Sequence, residues 1–265
     1  MPANILYVDC FSGASGDMLL GAMIDAGLGV SILEQDLARL GLSDYELRVE
    51  RRVRQGISGV HVFVHDHGQD RPAHNLSAVR GVIEQSGLPD DVVANSLRVF
   101  ERLAEAEARI HGSDVEEVHF HEIGAVDSLI DIVGFCVGLH RLEIGAVYAS
   151  PLPLGYGTVC TEHGELPVPA PATLALLAAA GAPVLPSKAN TELVTPTGAA
   201  LLTTLATFCQ PAMRVRRVGY GFGTKELPWP NMLRLWVGEE LELSSCGCGH
   251  HEQEHVAHTH VHAGE

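Results

Sequence analysis

The sequence lacks the features that mark membrane-bound and secreted proteins. None of its apolar runs reaches the roughly 18 residues that a membrane-spanning helix requires. The chain also starts with the strand-like segment NILYVDCF, where a signal peptide would have a basic stretch followed by an apolar one. We therefore expect a cytoplasmic protein that has no membrane partner.

Positive charge is also scarce in this chain. It has 17 lysine and arginine residues against 33 aspartate and glutamate residues, which gives a net charge of −16 with neutral histidines. Duplex nucleic acid is excluded as the main partner, because neutralising its phosphates requires a basic face. A nucleotide that binds together with a divalent cation is compatible with this charge.

Cysteine is sparse, whereas histidine is abundant. The six cysteines are isolated from one another except for Cys246 and Cys248, and without secretion signals they are expected to be free thiols in a reducing compartment. The fifteen histidines are concentrated in a few segments. This clustering is the clearest departure from an ordinary composition.

The order of predicted elements favours an α/β fold, with a mixed α+β fold as the alternative. Strand-like segments such as Asn4–Asp9 alternate with helix-like segments such as Asp91–Ile110. We predict a layered domain over residues 1–238. Residues 239–265 are acidic and then rich in cysteine and histidine, and they lack apolar periodicity, which predicts a flexible tail.

Three local predictions concern segments near the candidate sites. The polar segment HDHGQDRPAH, which contains His65, His67 and His74, is predicted to be a loop. The Pro- and Gly-rich segment PLPLGYG is also predicted to be a loop. A helix is predicted over Thr197–Phe208, after the segment VTPTG.

The segment VHFHEIGAVDSLIDIVG contains the densest group of potential metal ligands. In a strand, His119 and His121 would project from one face, and Glu122 follows them. In the helix predicted after this strand, Asp127 and Asp131 are four residues apart and share a face. Imidazole and carboxylate ligands together suit nickel, zinc, iron or manganese, so the segment predicts a divalent metal site or an acid–base centre.

A plainer interpretation of the same segment is a polar strand edge followed by a helix whose first turn carries Asp127. The upstream His111 could join a metal site, although a histidine at a helix end is the more ordinary role for it.

The turn DCFSGASGDM is a second candidate for ligand binding. A glycine-rich turn between a strand and a helix can hold phosphate on its backbone N–H groups, but the spacing matches neither common nucleotide-binding fingerprint. Aspartates in the turn could bind a cation instead, and a tight turn with helix-capping residues is the structural alternative. The candidate binding residues are Asp9, Ser12, Gly13, Ser15, Gly16 and Asp17.

Two further groups could bind metal. Cys160, His163 and Glu165 could form a thiolate–imidazole centre, although a buried Cys160 that packs as a small apolar residue is the commoner outcome. The tail is more simply explained as a segment that collects nickel, zinc or copper than as an expression tag, because other residue types interrupt its histidines. Its first potential ligands are Cys246, Cys248, His250 and His251.

Lys225, in the segment GYGFGTKELPWPN, is a possible anion contact. The alternative is that this segment only closes a hairpin.

Taken together, several segments resemble the LarC family, and they occur in the order found in that family. The combination of VHFHEIGAVDS with PVPAPAT and TPTGAALL is highly specific, and the resemblance covers nearly everything before the tail. The matching segments are DCFSGASGDMLLGAMIDAGL, IHGSDVEEVHFHEIGAVDSLIDIVG, PLPLGYGTVCTEHGELPVPAPATLALL, ELVTPTGAALL and GYGFGTKELPWPNMLRLWVGE.

The resemblance implies a cyclometallase, a lyase that inserts nickel into pyridinium-3,5-bisthiocarboxylic acid mononucleotide. The product would be the nickel-pincer nucleotide cofactor of lactate racemase and related enzymes, in which two sulfurs and a ring carbon bind the nickel. The resemblance also implies that CTP is hydrolysed to CMP and diphosphate with Mg²⁺ or Mn²⁺.

This chain departs from the family pattern at its C-terminal end. Family members usually continue into a second domain, to which the resemblance assigns CTP binding. We therefore expect the N-terminal part alone, with the C-terminal half missing or supplied by a separate partner chain, and we expect a homo-oligomer.

Under this interpretation His119 or His121 would deliver nickel or act as the base, with Glu122 as the other candidate base. Asp127 and Asp131 would hold a cation or orient the histidines. Two other functions stay open from the sequence: a nickel storage or delivery protein without catalysis, and a metal-dependent hydrolase built on the His-x-His strand.

Overall fold

The architecture comes from a computed structural model, in which residues 4–43, 45–67, 75–118, 126–161 and 164–241 are described. Within them, strands and helices alternate along the chain and one large sheet carries helices packed against it, so the predicted α/β class is confirmed. Among the described helices, none is both long and apolar enough to cross a membrane.

A seven-stranded mixed sheet forms the centre of the fold. From edge to edge it consists of β2 (Tyr45–Arg54), β3 (Ile57–Asp66), β10 (Met213–Phe222), β11 (Met232–Glu240), β1 (Asn4–Asp9), β4 (Ile144–Ala149) and β9 (Ala206–Thr207). Strands β2 and β11 run opposite to the other five. Because β1 and β4 are parallel neighbours, their carboxyl ends meet, and the backbone N–H of Cys10 donates to the Ser150 hydroxyl (3.0 Å).

Two short strand pairs lie outside the large sheet. They are β5 (Leu152–Leu154) with β8 (Val184–Pro186), and β6 (Thr158–Thr161) with β7 (Gly164–Pro167).

Seven helices are present in the described residues, and most of the core lies between them and the sheet. They are α1 (Gly16–Asp25), α2 (Val30–Leu37), α3 (Leu76–Glu84), α4 (Asp90–His111), α5 (Val126–Arg141), α6 (Pro171–Ala180) and α7 (Pro196–Leu205). Helix α5 is the most deeply buried of them: between Val126 and Leu139 every residue except Asp127 is buried. The side chains of Asn75 and Thr195 cap α3 and α7, as short polar residues at N-caps commonly do.

Helix α1 packs directly on the backbone of β10. A Cβ atom at Gly221 would lie 1.8 Å from the Met18 carbonyl oxygen, and one at Gly219 would lie 2.1 Å from the Ala22 carbonyl oxygen. Only glycine fits at these two positions, because these separations are far below van der Waals contact. The glycines of GYGFG therefore fix how closely the first helix approaches the sheet.

The sequence predictions for most elements agree with the structure. The first strand has the predicted bounds, Asn4–Asp9, and α4 begins and ends within one residue of the predicted helix Asp91–Ile110. Strand β11 continues to Glu240, two residues past the boundary predicted at 238.

Three local predictions were wrong. The loop predicted to begin at His65 begins later, because His65 and Asp66 still pair with β2 at the end of β3. The predicted PLPLGYG loop contains β5, since Leu152–Leu154 pairs in parallel with β8. The helix predicted to reach Phe208 ends at Leu205, because the next two residues extend and pair with β4.

The predicted strand that would carry His119 and His121 lies mainly in residues 119–125, outside the described residues. Upstream of it, Val115–Glu117 form a short 3-10 helix, and downstream α5 begins at Val126, which agrees with the predicted helix after Gly124.

The close contact between α1 and β10 predicts a large loss of stability in Gly221→Ala. The added methyl group would overlap the Met18 carbonyl, so the helix must move, and we expect a loss of about 3 kcal/mol in the free energy of unfolding. Urea denaturation would measure it. Gly81→Ala is the control, since Gly81 lies inside α3 with open space around it, and this variant should gain roughly 0.5–1 kcal/mol. A Gly221→Ala protein as stable as the wild type would contradict the packing.

Candidate functional site

The start of α1 and the first turns of α5 form a group of aspartates. Gly16 allows this contact, because a Cβ atom there would lie 2.3 Å from Oδ2 of Asp131. The preceding turn depends on Gly13, which has a φ of +95° and sits against the Leu193 carbonyl oxygen. Ser15 is the N-cap of α1, but its hydroxyl donates to the carboxylate of Asp17 and does not cap the helix.

Asp131 is the buried member of the group. The residue is 8% exposed, and its Oδ1 atom has no hydrogen-bond partner among the described residues. Burial raises the pKa of this carboxyl well above its ordinary value, and the nearby charges of Asp17 and Asp127 raise it further. A buried carboxylate without a partner is costly, so an oxygen in this state is a natural ligand for a cation.

The other two aspartates are more open to solvent. The side chain of Asp17 is 26% exposed, and desolvation raises its pKa although hydrogen bonds from Ser15 and from backbone N–H groups oppose the shift. Asp127 is exposed, and one of its oxygens accepts a hydrogen bond from the backbone N–H of Ser128 (2.8 Å). The two aspartates share a face of α5, but packing leaves the carboxylate of Asp127 in solvent and buries that of Asp131.

Within the described part of the chain, no three His, Cys, Asp or Glu side chains converge closely enough to hold a metal ion. His119, His121 and Glu122, which the sequence places beside Asp127 and Asp131, lie outside the described residues. The proposed metal ligands of this segment therefore stay a prediction.

His61 is a candidate site residue that the sequence interpretation missed. It is fully buried in β3, and its Nε2 atom lies 3.9 Å from Oδ2 of Asp17 and 3.5 Å from the Thr224 hydroxyl. Its Nδ1 atom lies 3.0 Å from a guanidinium nitrogen of Arg52, which also contacts Glu50. Since a guanidinium group only donates, Nδ1 must be the acceptor, and the neutral ring carries its proton on Nε2, towards Asp17.

The same surroundings keep His61 neutral. Burial lowers its pKa to about 4, and the charges of Arg52 and Arg54 add to the effect. The sequence feature that could have pointed to His61 was its position as the single histidine in the apolar run GVHVFV. That pattern does not reveal Arg52, which reaches the ring only through the strand pairing of β2 and β3.

A polar cleft opens beside Asp17. It has a volume of about 120 Å³ and lies between the start of α1, the segment before α7 and the loop that joins β10 to β11. The polar residues that line it come from distant parts of the sequence: Ser15, Asp17, Glu192, Thr195, Thr224, Lys225 and Asn231.

Two other residues of the predicted binding turn are engaged within the protein. Asp9, at the end of β1, forms an ion pair with Arg234 of β11, whose guanidinium lies over the Trp236 ring. Ser12 is buried and accepts a hydrogen bond from the indole N–H of Trp229 (3.0 Å).

The remaining predicted ligands lie elsewhere or outside the described residues. His111 ends α4, and its Nε2 atom is 3.4 Å from the carboxylate of Glu107. Cys160 is exposed in β6 opposite Glu165, so the expectation that it would be buried was wrong. The others are outside the described residues: His163, Cys246, Cys248, His250 and His251.

Fold and site together define an α/β protein that buries an unpaired carboxylate next to a polar cleft, an arrangement suited to a cation and a small polar molecule. The chain belongs to the nickel insertion protein family, whose model matches residues 6–262.

Relatives of known sequence agree with this assignment. A protein of Thermomicrobium roseum is 53% identical over 243 residues, which are 91% of this chain and 60% of that protein. A Desulfitobacterium hafniense protein (strain DCB-2), named pyridinium-3,5-bisthiocarboxylic acid mononucleotide nickel insertion protein, is 51% identical over 239 residues, or 88% of this chain and 58% of its own. The chain thus spans about 60% of the length of these relatives. No solved structure matches the chain.

The buried charge predicts that Asp131→Asn stabilises the metal-free protein. Folding raises the pKa of Asp131, so the unfolded state loses this proton near pH 4 while the folded state still holds it. Above that pH the Asp131 carboxyl therefore lowers the free energy of unfolding, and the loss grows as the pH rises. Thermal unfolding in the presence of a chelator should therefore show a gain in Tm that is larger at pH 8 than at pH 5, by roughly 2–4 °C for each kcal/mol relieved.

Asp127→Asn is the matched control, because Asp127 is exposed on the same helix and should change the Tm much less. An Asp131→Asn protein that is less stable than the wild type at pH 8 would show that the carboxylate has a partner in the free protein.

Proposed function

We propose that this chain carries the nickel-handling part of an enzyme that inserts nickel into pyridinium-3,5-bisthiocarboxylic acid mononucleotide. The product would be the nickel-pincer nucleotide cofactor used by lactate racemase-type enzymes. The observation that carries the proposal is the unpartnered, buried oxygen of Asp131 next to Asp17, just after the segment with His119 and His121. The name of the Desulfitobacterium relative, at 51% identity, supplies the reaction class.

The chemistry requires three things of the protein. It must bind Ni²⁺, accept a proton from the pyridinium ring carbon, and stabilise the charges that remain. When the C–H bond breaks, its electron pair forms the nickel–carbon bond, and the proton goes to a base. The two thiocarboxylate sulfurs supply the other bonds to nickel.

We assign these roles to the residues of the site. His119 or His121 delivers nickel or acts as the base, and Glu122 is the alternative base. Asp127 and Asp131 hold the cation or orient the histidines. At the start of α1, Ser15 and Asp17 are the predicted contacts that line the cleft.

The energy source proposed for this reaction is CTP, hydrolysed to CMP and diphosphate with Mg²⁺ or Mn²⁺. The relatives extend beyond the region that matches this chain. We propose that such an additional region, on the same or a separate chain, binds the CTP. A cytoplasmic homo-oligomer is the expected setting.

The proposal predicts that His121→Ala abolishes nickel insertion. The chain would be incubated with Ni²⁺, the dithio-mononucleotide, CTP–Mg²⁺ and the C-terminal region of a relative, and the organonickel product would be measured by mass spectrometry. We expect a loss of at least 100-fold, because a nickel ligand or the base is removed. His140→Ala is the control, since His140 pairs with Asp91 at the far end of α5. Normal insertion by the His121 variant would remove this residue from the site.

The rival function is nickel storage or delivery without catalysis, and the histidines of the tail favour it. Deleting residues 242–265, which follow the last described strand, separates the two functions. An insertase should keep most of its product formation and at least one internal nickel, as measured by elemental analysis of the purified protein. Loss of nearly all bound nickel, with no product formed by either form, would favour storage.

A further inference from the structure

We propose that the cleft beside Asp17 binds the phosphate of the mononucleotide, with Lys225 as the cationic contact. This inference rests on the proposed function for the identity of the substrate. It adds a residue from the loop between β10 and β11 to a site otherwise built from α1 and α5.

Lys225 is an unusual residue in this chain. The sequence has only two lysines and a net charge of −16, and one of these two lysines lines the cleft. An ammonium group has three donors, and one of them binds the Glu192 carbonyl oxygen at 2.9 Å. No carboxylate within the described ranges forms an ion pair with Lys225, so its charge is available to an anion.

The loop that carries Lys225 is held rigidly. The Lys225 carbonyl oxygen accepts hydrogen bonds from the buried Asn231 side chain (2.9 Å) and from the Arg54 guanidinium (3.2 Å). Arg54 also binds the carbonyl oxygen of Gly223 (2.9 Å). A cation on a fixed loop loses little conformational entropy when it binds a ligand, so the cleft is prepared for an anion.

Other donors face the same space. The hydroxyl groups of Thr195 and Thr224 line the cleft, and helices α1 and α7 both begin there. Their N-terminal ends add a favourable potential for an anion. These groups would help Lys225 to hold an anion. Lys225 supplies the only full positive charge among the lining residues that the structure describes.

The distribution of charge also orients the substrate. Asp17 and Glu192 line the cleft as well, and Asp131 lies behind it against Gly16. A pyridinium mononucleotide has a cationic ring at one end and a phosphate at the other. With the phosphate at Lys225, the ring and the incoming nickel would face the aspartates, where the proposed chemistry takes place.

The test compares two ligands and three variants by isothermal titration calorimetry. The ligands are the dithio-mononucleotide and the same compound after removal of its phosphate. The variants are Lys225→Met, Lys225→Arg and Lys188→Met, the last being an exposed lysine outside the cleft.

For the mononucleotide, Lys225→Met should weaken binding about tenfold or more, as expected for loss of a charge-assisted hydrogen bond. Lys225→Arg should recover most of this affinity, and Lys188→Met should not change it. For the dephosphorylated ligand, Lys225→Met and the wild type should bind equally. Any of three results would overturn the proposal. Lys225→Met could lose the same affinity for both ligands, it could bind the mononucleotide as tightly as the wild type does, or the wild type could fail to bind the mononucleotide.

A second probe separates this inference from the proposed function. Nicotinic acid mononucleotide has the same ribose phosphate but lacks the two sulfurs. If it binds through Lys225 in a phosphate-dependent manner while no nickel is inserted into the dithio-ligand, the phosphate site stands and the proposed reaction fails. If nickel is inserted normally by Lys225→Met at every substrate concentration, the reaction stands and the phosphate site fails.

Discussion

The contact between helix α1 and the backbone of β10 is the constraint on which the rest of the site depends. Gly219 and Gly221 let the helix lie against the strand with no side chain between them. On its other side, α1 meets α5, where Gly16 leaves room for the carboxylate of Asp131. A helix held this closely on both sides has one position, so the residues of its first turn are fixed relative to the aspartates of α5 and to the cleft.

This packing buries ionisable groups close to like charges at the place where the chemistry is proposed to occur. Asp131 is buried near two other carboxylates, and His61 is buried against two arginines. Asp131 lowers the stability of the free protein at neutral pH, whereas His61 does so only at acidic pH, where its ring would have to be protonated. Binding a cation would offset the repulsion among the carboxylates, which links occupancy of the site to the stability of the fold.

Much of the fold follows from patterns within single segments. The strand-like segment Asn4–Asp9 and the helix-like segment Asp91–Ile110 predict β1 and α4, because the cause of each element lies within a few residues. The errors have a common origin. Leu152–Leu154 and Ala206–Thr207 become strands only because a partner strand is present. Pairing of this kind depends on residues that are far away in the sequence.

For the site, the sequence by itself determined which chemical groups are available and how they are spaced. It placed Asp127 and Asp131 on one helix and identified the glycine-rich turn before α1. Only the tertiary structure decided that Asp131 is buried while Asp127 is exposed, that Arg52 fixes the proton of His61, and that Lys225 lines the same cleft as Asp17. The physical reason is that burial, and the pKa shifts that follow from it, are set by packing between distant segments, whereas spacing along the chain sets only which side chains share a face.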